Sequence, residues 1–432
     1  MTSPKDSRID AQLIAQIHEP GRSVVLTNVR LIDGQGGPPI ERAHVSYYEG
    51  KIRETAALGA SPAADIVLDC TGLTLMPGLI DAHAHLIYSG FRSLDAIDRC
   101  SIETHTINAV INAERVLRAG YTTIRDVGTV GNVAVAVRDA IAEGKVRGPE
   151  VVASGSILFG TGGLGETLPP HWTSEHGLGK RVDGPDEIRR EVRRQLRAGV
   201  DNIKLAASGV EVGPYAWTWM TTFSEEEIRV AVDEAHRWGR TVAIHAQSYD
   251  SVRFALRAGV DTIEHGTRMD DETIALFARS DAVLVPTLST LFSVLELGAT
   301  LNLLPKQRQE MAVNEPLWLD SLRRAKAAGI PVAAGADLGN RYPHGSNARE
   351  IELLVRVGFT PMEALCAATS VAARALRRHD RIGSIEAGKV ADLLLFDGDP
   401  LADIAQLQDP ARIALVIKGG KPMAGTLCQP VA

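Results

Sequence analysis

Hydrophobic positions along the chain fall into two rhythms. From Ser23 to about Cys70 they alternate with polar ones in SVVLTNVRLID, AHVSYYEGKI and DIVLDC, with turns at Asp33-Gly34 and Gly36-Gly37. A period of two punctuated by Gly and Asp predicts short β-strands. The same character returns near the other end in VADLLLFDGDP and IALVIKGGKPM. Between the ends, apolar runs finish near LMPGLIDAHAH, YTTIRDVG, EVVASG, DNIKLAASG, TVAIHAQ, DTIEHGT, AVLVPTL and IPVAAGAD. Their Val, Ile and Ala content suits strands buried on both faces. Stretches with apolar residues at i, i+3 and i+4 and a glycine stop separate most of them and predict helices. Examples are TINAVINAERVLRAG, PDEIRREVRRQLRAG, SEEEIRVAVDEAHRWG and SVRFALRAG. Ser224 followed by Glu227 has the capping-box form.

Eight alternating units predict an α/β protein built on a closed (β/α)₈ barrel. A doubly wound open sheet is the competing layout, and the lack of a G-x-G-x-x-G after an early strand weakens its dinucleotide-binding version. A barrel takes about 250 residues, so a chain of 432 leaves room for an accessory domain. The β-like ends predict a small β-sandwich, discontinuous in sequence. Its parts are expected at residues 1–76 and 381–432, with the barrel at 77–380.

Composition changes this picture little. The net charge is −7, and no basic stripe suggests nucleic acid or an anionic membrane partner. Four scattered cysteines, none in a C-x-x-C pair, read as thiols in a reducing compartment. No signal-peptide core or membrane-length apolar run stands out. A cytoplasmic protein is expected.

The chemistry lies at the strand ends, where barrels of this type carry their catalytic groups. Strand one ends in His83-x-His85, and alternation puts both imidazoles on one side. Strand four carries Lys204, strand five ends at His245, strand six at His265 and strand eight at Asp337. Each residue alone has an ordinary structural explanation; six at five matching strand ends do not. Imidazoles and a carboxylate suit zinc, or cobalt or manganese. A buried ammonium is costly, but between cations the lysine would turn neutral and capture carbon dioxide. The resulting N6-carboxylysine would bridge two divalent metals. Such a pair shares a hydroxide and polarises a carbonyl, bringing the pKa of water from about 15.7 to about 7.

MPGLIDAHAHL, Lys204, His245, His265 in IEHGT and Asp337 together resemble the amidohydrolase superfamily. So do VRLIDGQG near the start and GSIEAGKVADLLLFDGDPL with VIKGGK near the close. The resemblance covers essentially the whole chain. It implies that His83, His85 and Asp337 bind one metal, that His245 and His265 bind the other, and that Lys204 bridges. It also implies that Asp337 shuttles a proton from water to the leaving group and that His265 helps polarise the substrate carbonyl. YTTIRDVG, KLAASG, IEHGT and PHGSNAREIELLVRVGFTPMEALCAAT look like one branch. That branch holds imidazolonepropionase-related proteins, metal-dependent prolidases and carboxypeptidases, and ochratoxin-degrading enzymes; hydrolases of phenylureas and thiocarbamates are similar. One departure is TGGLGE, with Leu164 where many members have histidine.

Substrate contacts are less sharply drawn. Trp172 lies in the loop after strand three, and Tyr215, Trp217 and Trp219 in the loop after strand four. Aromatic walls suit a bulky apolar group, and packing of the loops would use the same rings. Tyr88 and Ser89 follow the H-x-H pair, and His344 follows Asp337 in PHGSN; all three are candidate pocket residues. Arg341 reads as a solvated surface residue, Asp126 as structural, and His171 and His176 as loop histidines. The expected function is hydrolysis of a C–N bond in a small N-acyl amino acid, dipeptide or related amide by a metal-bridging hydroxide. A xenobiotic urea or carbamate hydrolase is the runner-up, and a metal-free structural barrel the rival of another class. The resemblance implies a homo-oligomer.

Overall fold

The computed structural model describes residues 11–428 apart from His18, Pro20, 58–62, Arg92, Pro170, 172–176, Ala299 and 301–302. The chain is mixed α/β. The two ends meet in one eight-stranded sheet. Val24–Leu31 pairs antiparallel with Ile40–Tyr48 and parallel with Thr74–Pro77. Thr74–Pro77 in turn pairs antiparallel with Leu393–Phe396, in register Leu75 to Leu395. Inward-facing Val24, Leu26, Leu75, Leu393, Leu395 and Leu415 form a buried cluster of their own. Alternation thus places one apolar face of each end against the other.

The middle of the chain supplies parallel strands. Leu79–Ala84, Tyr121–Asp126 and Glu150–Ala153 pair in order. Asn202–Ala206, Thr241–Ala246, Thr262–His265 and Val283–Val285 also pair in order. We number these seven strands one to seven, and residues 331–336 as the eighth segment. Backbone hydrogen bonds run beyond the regular ladders. Asp201 N donates to Ala153 O (2.8 Å), joining strand three to strand four. Ala333 N donates to Leu284 O (2.9 Å), and Ala82 N to Ala334 O (2.9 Å), so the eighth segment touches both strand seven and strand one. After strand three the chain adds two short strands that the sequence pattern did not predict, Ile157–Phe159 and Gly179–Arg181.

Helices lie between the strands as the periodicity predicts. Gly184–Arg197 buries Ile188, Val192 and Leu196 at a spacing of four. Glu225–Arg237 starts at the expected capping box, with Glu227 N donating to Ser224 Oγ and Ser224 N to Glu227 Oε2. Tyr249–Ala258 stops at Gly259, whose φ of 86° is the left-handed conformation that glycine tolerates. Among the described residues no helix is long and apolar enough to cross a membrane.

Candidate metal centre

All six strand-end residues line one cavity: His83, His85, Lys204, His245, His265 and Asp337. Strand geometry brings them there. His83 and His85 share a side of strand one, and their ring centroids lie 5.3 Å apart. His245 and His265 end neighbouring strands with centroids 4.4 Å apart, and His265 lies 5.3 Å from His83. Asp337 Oδ1 stands 3.7 Å from His83 Nε2 and 3.5 Å from His85 Nε2. Two of these residues, His265 (φ 70°) and Asp337 (φ 48°), adopt left-handed backbone conformations. Non-glycine residues hold such conformations only when the surroundings over-determine them, commonly at functional sites.

Each imidazole is oriented by a partner on one nitrogen, which leaves the other facing the cavity. His83 Nδ1 donates to Glu264 Oε2 (2.6 Å), His85 Nδ1 to Gly128 O (2.8 Å), and His245 Nε2 to Gly209 O (2.8 Å). His265 Nδ1 lies 2.6 Å from Thr287 Oγ1. Three rings therefore present Nε2, and His245 presents Nδ1. Glu264 is itself bound by Arg125 Nη2 at 2.8 Å, and both side chains are fully buried. Asp126 accepts from Leu86 N and Gly128 N, which shapes the turn whose carbonyl aims His85. Thr290 Oγ1 donates to Asp337 Oδ2 (2.9 Å). Gly335 leaves room for His83, because a Cβ there would lie 2.7 Å from His83 Cβ.

The electrostatics suit cation binding. Burial pushes His85 and His245 down to about 3 and His265 well below its ordinary value, so the rings stay neutral with lone pairs free. Burial opposes charge on Asp337 too, but His83, His85 and the Thr290 hydrogen bond hold it below the usual carboxylate range. Burial also opposes the Glu264 carboxylate, and Arg125 and His83 overcome it. Lys204 is 2 % exposed, and burial brings its amine down to about 8. Its Nζ has no hydrogen-bond partner among the described residues. A buried amine left without a partner on a cavity lined by imidazoles fits a lysine meant to carry something else. Donor atoms of His83, His265 and Asp337 lie within 4.8 Å of one another, close enough to hold one cation.

The substrate candidates divide. Tyr88 lines the cavity, with its ring stacked on His85 at 4.4 Å. Ser89, His344, Tyr215 and Trp217 are not on the wall, for different reasons. Ser89 is exposed; His344 is buried behind strand one, with Nε2 at 3.1 Å from His85 O. Tyr215 is half exposed, and Trp217 packs under Lys306, whose Nζ lies 4.8 Å from the ring. Trp219 and His171 are exposed, and Trp172 and His176 lie outside the described residues. Arg341 departs from its solvated reading: it is half-buried on the cavity wall, and its Nε donates to Ser293 Oγ at 2.6 Å. Leu164 is buried on the same wall. Sequence reasoning missed Glu264, Arg125, Thr287, Thr290 and Glu211. A signal existed for the first two, since Arg in TTIRD and Glu in TIEH are opposite charges inside apolar strands.

Comparison with known proteins points the same way. The amidohydrolase family profile matches residues 74–423. Ochratoxinase of Aspergillus niger is 30 % identical over 384 residues, covering 81 % of this chain and 76 % of that protein. Imidazolonepropionase of Geobacillus sp. (strain WCH70) is 25 % identical over 398 residues, covering 84 % of each. The crystal structure of a Xaa-Pro dipeptidase with methionine in its active site superposes with a TM-score of 0.85 at 31 % identity, covering 93 % of this chain and 99 % of that one.

Proposed function

The chain belongs to the amidohydrolase family and is a hydrolase acting on carbon–nitrogen bonds, and from that premise we propose that it cleaves the amide of a small N-acyl amino acid or dipeptide at a two-metal centre. The observation that carries this is the convergence of six strand-end side chains, one of them a partnerless buried lysine, on a single cavity. We take strands one to seven and the eighth segment as a closed (β/α)₈ barrel over 77–380. We take the described residues of 1–76 and 381–432 as the β-sandwich at its side. The inter-strand bonds to the eighth segment and the sheet shared by both ends support this.

His83, His85 and Asp337 would hold one divalent cation, His245 and His265 the other, with zinc the best match to the donor set. Lys204, as its carbamate, would bridge them; a neutral amine is needed to capture carbon dioxide, and burial favours that form. When bound, the metals would supply Lewis-acid polarisation of the carbonyl and a water acidic enough to ionise near neutral pH. Asp337, kept ionised by its neighbours, accepts the proton given up by the attacking water and returns it to the departing nitrogen. Arg341 grips the substrate carboxylate through guanidinium nitrogens that its bond to Ser293 leaves free. Leu94, Ile157, Leu164 and Leu178 receive an apolar side chain.

The test is a panel on metal-loaded protein that sets dipeptides and N-acyl amino acids against phenylureas and thiocarbamates. Turnover confined to carboxylate-bearing amides, with KM rising in Arg341→Met, is the expected result. Preference for the ureas or thiocarbamates would replace this substrate class with the runner-up.

A further inference from the structure

Besides the six residues of the centre, the cavity wall carries a buried carboxyl group that the mechanism does not use. Glu211 is fully buried and lies in the loop after strand four, seven positions beyond Lys204. One of its oxygens, Oε2, accepts from Gln247 Nε2 at 3.0 Å. The other, Oε1, has no hydrogen-bond partner among the described residues. Gln247 is itself pinned, with its backbone N donating to Ser208 Oγ at 3.0 Å, so Glu211 is held in place rather than free to turn away. Arg341 is near enough to influence Glu211 electrostatically, yet the two form no ion pair among the described residues. A buried carboxylate oxygen left without a donor is costly, and structures retain one where a ligand supplies the donor.

We propose that Glu211 accepts the free α-ammonium of the substrate, so that the site selects unblocked dipeptides over N-acylated amino acids. The inference rests on the hydrolase reading above and narrows its substrate class. An ammonium brings N–H donors, which the unclaimed Oε1 of Glu211 lacks. Arg341 follows the eighth segment and Glu211 follows strand four. In the ring of eight proposed above, these positions would be four strands apart in either direction. A zwitterionic dipeptide would span them, carboxylate to Arg341 and ammonium to Glu211, with its amide at the centre. The apolar residues on the wall carry neither charge, so the two ends of the ligand are told apart by these two side chains.

Binding can be measured apart from turnover. The probes are two phosphinic dipeptide isosteres with apolar side chains, one with a free and one with an acetylated amino terminus, titrated calorimetrically into the metal-loaded native protein, Glu211→Gln and Glu211→Asp. The native protein should prefer the free terminus by at least about tenfold, the worth of one hydrogen bond to a charged group. Glu211→Gln should lose that preference while still binding the acetylated probe, and Glu211→Asp should recover part of it. Equal binding of both probes by the native protein, an unchanged preference in Glu211→Gln, or loss of both probes together would overturn the assignment. Cleavage of the parent dipeptide is followed in parallel. No cleavage with the charge preference intact would sink the hydrolase reading and leave the ammonium site standing.

Discussion

Replacing Glu264 by glutamine perturbs the centre without changing any residue proposed to hold a metal. The carboxylate is fully buried between Arg125 Nη2 at 2.8 Å and His83 Nδ1 at 2.6 Å, with Thr262 Oγ1 donating to the oxygen that faces Arg125. Glutamine keeps the shape but has one oxygen and one NH₂. If the oxygen faces Arg125, the NH₂ meets His83 Nδ1 and forces the proton onto Nε2, the nitrogen that faces the cavity. If the oxygen faces His83, the NH₂ meets the donors of Arg125 in the protein interior. Breaking a buried pair by removing one partner costs about 3–5 kcal/mol. Losing the partner that orients a ligand histidine costs about 10–100-fold in metal affinity, which is about 1.4–2.7 kcal/mol. Chelator competition reads the second quantity, and urea denaturation of metal-free protein reads the first. The metal-free urea midpoint should fall, and the metal-loaded one should fall further, because weaker metal binding adds less stabilisation. Wild-type metal affinity together with an unchanged midpoint would refute the view that this buried pair positions His83.

Three further outcomes follow from the same geometry. Asp337→Asn should fold and lower kcat by about 10²–10⁴-fold, the usual worth of a general acid–base group; steady-state activity within tenfold of native would remove Asp337 from proton transfer. Gly335→Ala would put a Cβ 2.4 Å from Val285 Cγ1 and 2.9 Å from His83 N, so it should cost about 1–3 kcal/mol as overpacking and weaken metal uptake, with an unchanged urea midpoint as the contrary result. In metal-free protein, His85 and His245 protonate near pH 3 when folded but near about 6.5 when unfolded. The unfolded chain therefore binds more protons across that window, and stability should rise with pH through it and be lost on acidification from about 6.5 towards 3; a flat urea midpoint over that range would show that the rings are not held neutral.

Local pattern was enough for much of this protein. Alternation placed the strands and put His83 and His85 on one side of theirs, and the 3.6-residue period with glycine stops placed the helices. These signals act over a few residues, so they are legible without the fold. The histidines, Lys204 and Asp337 stood out because charge or imidazole at the end of an apolar strand is chemically conspicuous. What only the tertiary structure decided is which atoms face which. His83 meets Glu264 across 181 positions of sequence, and three of the four rings are held there by a backbone carbonyl or a hydroxyl, groups with no distinctive residue signature. Those partners choose the nitrogen each ring presents. Packing likewise turned Arg341 onto the cavity wall, drew His344 behind strand one and buried Glu211 with one oxygen unclaimed. Loop conformation sets such directions through contacts between distant elements, and no local period encodes them.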